Sequence, residues 1–226
     1  MSEYWVTKNG THQIKGNPLD LGVRVVDKII WGIVELTNIV NGTFYWYNKD
    51  WTTYPTSILY ANGKVYQNAA NHLWDNGKPQ SVFVVYKNGF VDMKRIKDIS
   101  ELGDLTLINV AIGGVGLVNK FDPSFKYSLE AEGFIGKDAN VGRKTNKTVL
   151  AYNKKEDKVY LMVRGNIYHK GRFPWEYDLL KLVRDCEYDI AISLDGGGST
   201  FMDALWRYVF KGEASRRIHN VVGFNI

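Results

Sequence analysis

The chain has 226 residues, 45% of them hydrophobic, with 29 basic against 24 acidic residues and a formal charge of +5. One cysteine, Cys186, excludes an internal disulfide framework and a thiolate metal cluster. The positive balance is modest; a nucleic-acid surface more often carries a basic run or stripe, and a weak positive field suits a small anionic ligand about as well as RNA or DNA.

The opening stretch, "MSEYWVTKNGTHQIKGN", lacks an apolar run of signal-peptide length, and no segment reaches transmembrane length. The expectation is a cytoplasmic protein without membrane contact. Residues 22–40 mix apolar residues with few breakers and fit either strands or a short helix. From there to about residue 165 the chain reads as strands. "SILYANGKVYQ" and "VFVVYKNGFVDM" each place Asn-Gly between apolar runs, at Asn62-Gly63 and Asn88-Gly89. That pair favours a two-residue hairpin turn, in which both positions take positive φ. "TVLAYNKKEDKVYLMVRGN" reads as a third hairpin with a longer polar loop.

Helix signals come late. "FPWEYDLLKLVRDC" has Pro174 near a first turn, then Leu179, Leu182, Val183 and Cys186 on one face. "YDIAISLD" alternates Ile190, Ile192 and Leu194 as a strand. "STFMDALWRYVFKG" carries Phe201, Leu205, Trp206 and Val209 at helical spacing, with Gly212 as the stop. "RRIHNVVGFNI" closes the chain as a strand. The expected fold class is α+β: a single domain over 1–226, its mixed or antiparallel sheet rich in hairpins, with a few helices mostly in the C-terminal third.

Between the strand at 190–194 and the helix expected after 200 stands Asp195-Gly196-Gly197-Gly198-Ser199-Thr200. Three glycines let backbone approach a ligand closely, their N–H groups can form an anion-binding concavity, and the N-terminus of a following helix would add to it. The ending Gly-Lys-Ser/Thr of a P-loop and the G-x-G-x-x-G of a dinucleotide site are both missing. A capped tight turn is the plain alternative.

The stretch "LDGGGST" after a strand, with "RRIHN" some twenty residues on, resembles the phosphodiester glycosidase family. "VNGTFYW" (Asn41 to Trp46), the hairpins "YANGKV" and "YKNGFV", "IGGVGLV" (Ile112 to Val118) and "NKTVLAYNKKEDKVYLMV" follow the family's order, so the resemblance covers roughly residues 40–226 and leaves 1–39 outside it. Where the family has Arg-Thr, this chain has Lys147-Thr148, which keeps a cation and loses the bidentate fork, with Arg143 four residues earlier. Ala151 stands where the family has glycine.

The resemblance implies hydrolysis at an anomeric carbon, releasing a sugar and a phosphomonoester. It points to Asp195, Arg216 and Lys147 as catalytic. It points to Asn41, Gly113, Gly114, Arg143, Thr148, Gly196, Gly197, Gly198, Ser199, Thr200 and Asn220 as substrate-binding. Arg216 and Asn220 are four apart, which on a regular strand puts both on one face and His219 on the other. Glu130, Glu132 and Asp203 are the possible second carboxylates. His12, His72 and His169 lack metal-ligand spacing; no cofactor is required, and a divalent cation such as calcium on oxygen ligands stays open. The implied partner is a sugar phosphodiester or nucleotide-like ligand. A cytoplasmic enzyme would meet nucleotide sugars, or reach envelope polymers only after lysis, as a phage-encoded protein would. The alternatives are a protein that sequesters a nucleotide-derived or sugar-phosphate ligand without turnover, and a nucleic-acid-binding module.

Overall fold

A computed structural model describes residues 2–8, 10–29, 37–70, 77–134, 145–165, 176–204, 207–211 and 216–224. Among these are seventeen strands and a single α-helix, α1 (Glu176–Asp185). The protein is therefore a sheet-rich fold, not the α+β arrangement with several helices expected from sequence. The helix expected after residue 200 is a hairpin, β15 (Phe201–Ala204) and β16 (Arg207–Lys211). All four residues of β15 are buried: Met202 and Ala204 on the main core, Phe201 on the opposite face against Ile39 and Tyr45. A strand covered on both faces loses its apolar–polar alternation, and an uninterrupted apolar run is easily mistaken for helical spacing.

Two sheets form the frame. The larger has ten strands; its main path runs β1 (Glu3–Val6), β2 (His12–Gly16), β13 (Lys158–Arg164), β12 (Lys147–Asn153), β14 (Ile190–Ser193), β11 (Ile108–Asn119), β7 (Leu59–Ala61), β8 (Lys64–Gln67). Strand β9 (Gln80–Tyr86) joins it through β11, and β10 (Val91–Ile96) through β9. The smaller sheet has the order β16, β15, β4 (Ile39–Asn41), β17 (Arg217–Phe224), β3 (Leu21–Ile29). The ambiguous stretch 22–40 thus carries strands at both ends, and residues 30–36 lie outside the described residues.

The main core packs one sheet on the other. Ile14, Leu150, Leu161 and Ile192 of the large sheet share a cluster with Val23, Val40, Val222 and Phe224 of the small one. Each such side chain contributes about 1.5–3 kcal/mol through burial. The other face of the large sheet is covered by α1, whose Leu179, Leu182 and Val183 pack on Val149, Ala151 and Met162. A short hairpin, β5 (Tyr45–Tyr47) with β6 (Thr53–Pro55), supplies Tyr45 and Tyr47 to the cluster on the small sheet's outer face.

All three expected hairpins form. Asn62 and Gly63 both have positive φ, 54° and 73°, as a two-residue turn requires. At the second, only Gly89 does, at 85°. There Tyr86 N donates to Phe90 O (2.9 Å) and Asn88 Oδ1 accepts from Phe90 N (3.0 Å), closing a three-residue loop. No helix among the described residues is long and apolar enough to cross a membrane.

Candidate active site

Three consecutive residues at the end of β4, Asn41-Gly42-Thr43, draw the site together. The Asn41 amide is buried and bonded to three other segments of the protein. Its Nδ2 donates to Asp195 O (2.7 Å), and its Oδ1 accepts from Thr148 Oγ1 (2.6 Å) and Phe201 N (3.2 Å). Gly42 O accepts from Asp195 N (3.3 Å). Thr43 N donates to Asn220 Oδ1 (3.0 Å), and Thr43 Oγ1 to Gly113 O (2.5 Å). A Cβ on Gly42 would strike the Asn220 amide, so only glycine fits. Asn41, Gly113, Thr148, Asp195 and Asn220 are far apart in sequence and converge here. The geometry gives Asn41 and Thr148 the job of clamping Asp195 and the start of β15.

Arg216 and Asn220 are not related by simple alternation. The pairing of β17 with β3 shifts between Ile218 and Asn220, and Ile218 and Val221 both sit in the outer cluster, which a regular strand forbids. Asn220 faces the Gly42-Thr43 turn, whereas Arg216, just before the strand, faces Tyr45 and Tyr47. His219 lies against Thr53 (Nδ1 to Oγ1, 3.1 Å), and burial pushes its pKa down to about 4.

The glycine loop is a single 3-10 turn over Gly197–Ser199, followed by a strand. The turn leads into a strand and not a helix, so the expected helix N-terminus after it falls away. Gly196 N donates to Asp195 Oδ1 (2.9 Å) and Gly197 N to Asn146 O (2.9 Å). A Cβ on Gly196 would lie 2.7 Å from Asn146 O, and Gly197 has φ 64°. The missing side chains therefore let the segment before β12 press against the turn. Gly114 is likewise held against Ser193 O of β14. Thr200 is buried behind the turn.

Asp195 is partly exposed at the turn, and two cations act on its carboxyl. Burial pushes its pKa up to about 6, against the opposing pull of the Ser199 hydroxyl, the Arg216 charge, the Gly196 N–H and the Lys147 charge. Lys147 is itself buried at the first position of β12. Ser199 Oγ lies 3.0 Å from Tyr45 Oη, which accepts from Arg216 Nε (3.3 Å) and donates to Arg217 O. Ser199 has one proton for two neighbours. Ionised Asp195 takes it, and protonated Asp195 releases it to Tyr45. Burial, with the Asp195 charge behind it, raises the Tyr45 phenol, which stays protonated.

Tyr45 and Tyr47 were not singled out from sequence. The available signal was the run of four aromatics, Phe44 to Tyr47, shortly after Asn41-Gly42. Arg143 lies outside the described residues. Of the possible second carboxylates, Glu130 is exposed, and Glu132 is bound to Ser81, Gly116 and Arg95. Asp203 is buried in β15, with its pKa raised by burial to about 6 and lowered in part by Thr37. Among the described residues no group of three or more His, Cys, Asp or Glu side chains is placed to hold a metal ion.

A model of the family "Phosphodiester glycosidase" matches residues 35–225. The chain belongs to the phosphodiester glycosidase family. Among solved structures, it is similar to the zebrafish N-acetylglucosamine-1-phosphodiester alpha-N-acetylglucosaminidase catalytic domain, auto-inhibited by its pro-peptide. That match has a TM-score of 0.71 at 17% identity and covers 100% of this chain and 82% of that one. It is also similar to a hypothetical protein from Synechocystis, with a TM-score of 0.58 at 12% identity, covering 98% of this chain and 61% of that one. At these identities the likeness speaks for the fold alone. No curated protein sequence matches the chain.

Proposed function

We propose that the chain hydrolyses the glycosidic bond of a sugar 1-phosphodiester or nucleotide sugar. Water adds to the anomeric carbon, the bond from that carbon to the phosphate oxygen breaks, and a free sugar leaves together with a phosphomonoester or, from a nucleotide sugar, a nucleoside diphosphate. The observation that carries this reading is Asp195: a partly exposed residue whose carboxyl is raised to about 6 by burial while the Arg216 and Lys147 charges both act on it. Above that pH it is an anion that can support positive charge at the anomeric carbon or take a proton from water. Charge develops on the departing phosphate oxygens, and the two fixed cations stabilise it where it forms. Phosphate leaves readily without a strong general acid, so one well-placed carboxylate with two cations supports the chemistry.

The test is incubation with sugar 1-phosphodiesters and nucleotide sugars, read by mass spectrometry. Wild-type protein should release free sugar, and folded Asp195→Asn should not. Full turnover by that variant would remove Asp195 from the mechanism, and unchanged substrates with wild type would remove the activity.

A further inference from the structure

The β5–β6 hairpin ends in a tight loop, closed by Trp51 N to Asn48 O (3.0 Å) and Asn48 N to Thr52 O (2.8 Å). Within it Trp51 adopts φ 67°, the left-handed region that suits glycine or asparagine and crowds a bulky side chain. The indole gains little burial in exchange, since Trp51 is 72% exposed. A strained backbone under an exposed aromatic ring is not explained by folding, and such outliers gather at ligand sites.

Trp51 is also continuous with the site. Its ring meets Tyr47 edge-on, with centroids 5.9 Å apart at 64°. Tyr47 meets Tyr45 at 5.8 Å, and the Arg216 guanidinium stands over Tyr47 at 5.5 Å. Tyr45 in turn touches Ser199, which bonds Asp195. The order outward is carboxylate, cation, open indole face.

We propose that Trp51 is the stacking subsite for the base of a nucleoside-diphosphate sugar. This rests on the reading of Asp195 as the carboxylate at the anomeric carbon. A second sugar esterified through one phosphate would place its ring directly beyond Arg216. A diphosphate and a ribose carry a base several bonds further, and Trp51 lies two ring-to-ring steps out from Tyr45. A flat base needs one open aromatic face, which Trp51 presents, and such stacking tolerates any base.

The test compares wild type, Trp51→Gly and Trp51→Phe. Glycine accepts φ 67° without strain, so the melting temperature of Trp51→Gly should not fall. Calorimetric titration with UDP should show its Kd raised about tenfold in Trp51→Gly and largely restored in Trp51→Phe, with pyrophosphate affinity the same in all three. The kcat/KM preference for UDP-N-acetylglucosamine over the methyl ester of N-acetylglucosamine 1-phosphate should fall by a similar factor. UDP affinity equal in wild type and Trp51→Gly overturns the proposal, as does an equal loss for pyrophosphate. The titration needs no turnover: Trp51-dependent UDP binding without hydrolysis would sink the hydrolase reading alone, and hydrolysis with Trp51-independent binding would sink this one alone.

Discussion

Two of the carboxyls whose proton affinity burial raises, Glu132 and Asp195, are held in different ways. Glu132 has its whole accepting capacity taken: Oε1 by Ser81 Oγ (2.8 Å) and Arg95 Nη2 (2.7 Å), Oε2 by Ser81 N (3.0 Å) and Gly116 N (3.3 Å). Asp195 accepts from Gly196 N and Ser199 and stays partly open, with Arg216 and Lys147 acting on it through space. The first arrangement ties a loop to the sheet. The second holds a charge in place with capacity left for a ligand. Burial alone therefore does not mark a reactive carboxyl; unfilled hydrogen-bonding capacity beside fixed cations does.

The sharpest way to break this contrast is to neutralise each group in turn. Asp195→Asn should lower kcat by about a thousandfold, within the range for a lost acid–base or charge-stabilising group, while the protein stays folded. Glu132→Ala should do the reverse. It strands Arg95 and Ser81 and should cost about 3 kcal/mol in denaturant unfolding, leaving kcat within a few-fold. If folded Glu132→Ala loses turnover as completely as Asp195→Asn, the division of roles is wrong.

Asn41→Ala tests the clamp that separates the two cases. It leaves Thr148 Oγ1, Phe201 N and Asp195 O without their partner and should cost about 2 kcal/mol, with turnover falling as Asp195 loosens. An unaffected melting temperature would mean the amide is not structural.

The smallest effect is in pH. Native Asp195 holds its proton up to about pH 6, against an ordinary value of 3.8. Between those values the native state binds more protons than the unfolded one, so stability falls as pH rises through that window and stays lower above it. The loss should be at most about 3 kcal/mol, reduced by solvent screening at a partly exposed residue, and absent in Asp195→Asn. Activity should rise through about pH 6 as the carboxylate ionises. A stability profile identical in both proteins would show that Asp195 ionises as freely as an exposed carboxyl.

Local chemistry was readable wherever it was sufficient by itself. Asn62-Gly63 specified its turn because both residues tolerate positive φ, and Leu179, Leu182 and Val183 specified a helix because one face alone is apolar. "Asp-Gly-Gly-Gly-Ser" marked an unusual backbone, and in the structure its glycines yield to Asn146 and to the turn itself. What the residues 201–211 become was not readable, because a strand buried on both faces carries no period of two. Nor was the Arg216–Asn220 relation, since a register shift arises from pairing with β3 and leaves no trace in β17 alone. The convergence of Asn41, Thr148 and Asp195, and the place of Tyr45 between Ser199 and Arg216, depend on contacts across more than a hundred residues. Only the packing of one sheet on the other decides these, because a hydrogen bond between distant segments depends on where the backbone brings them together.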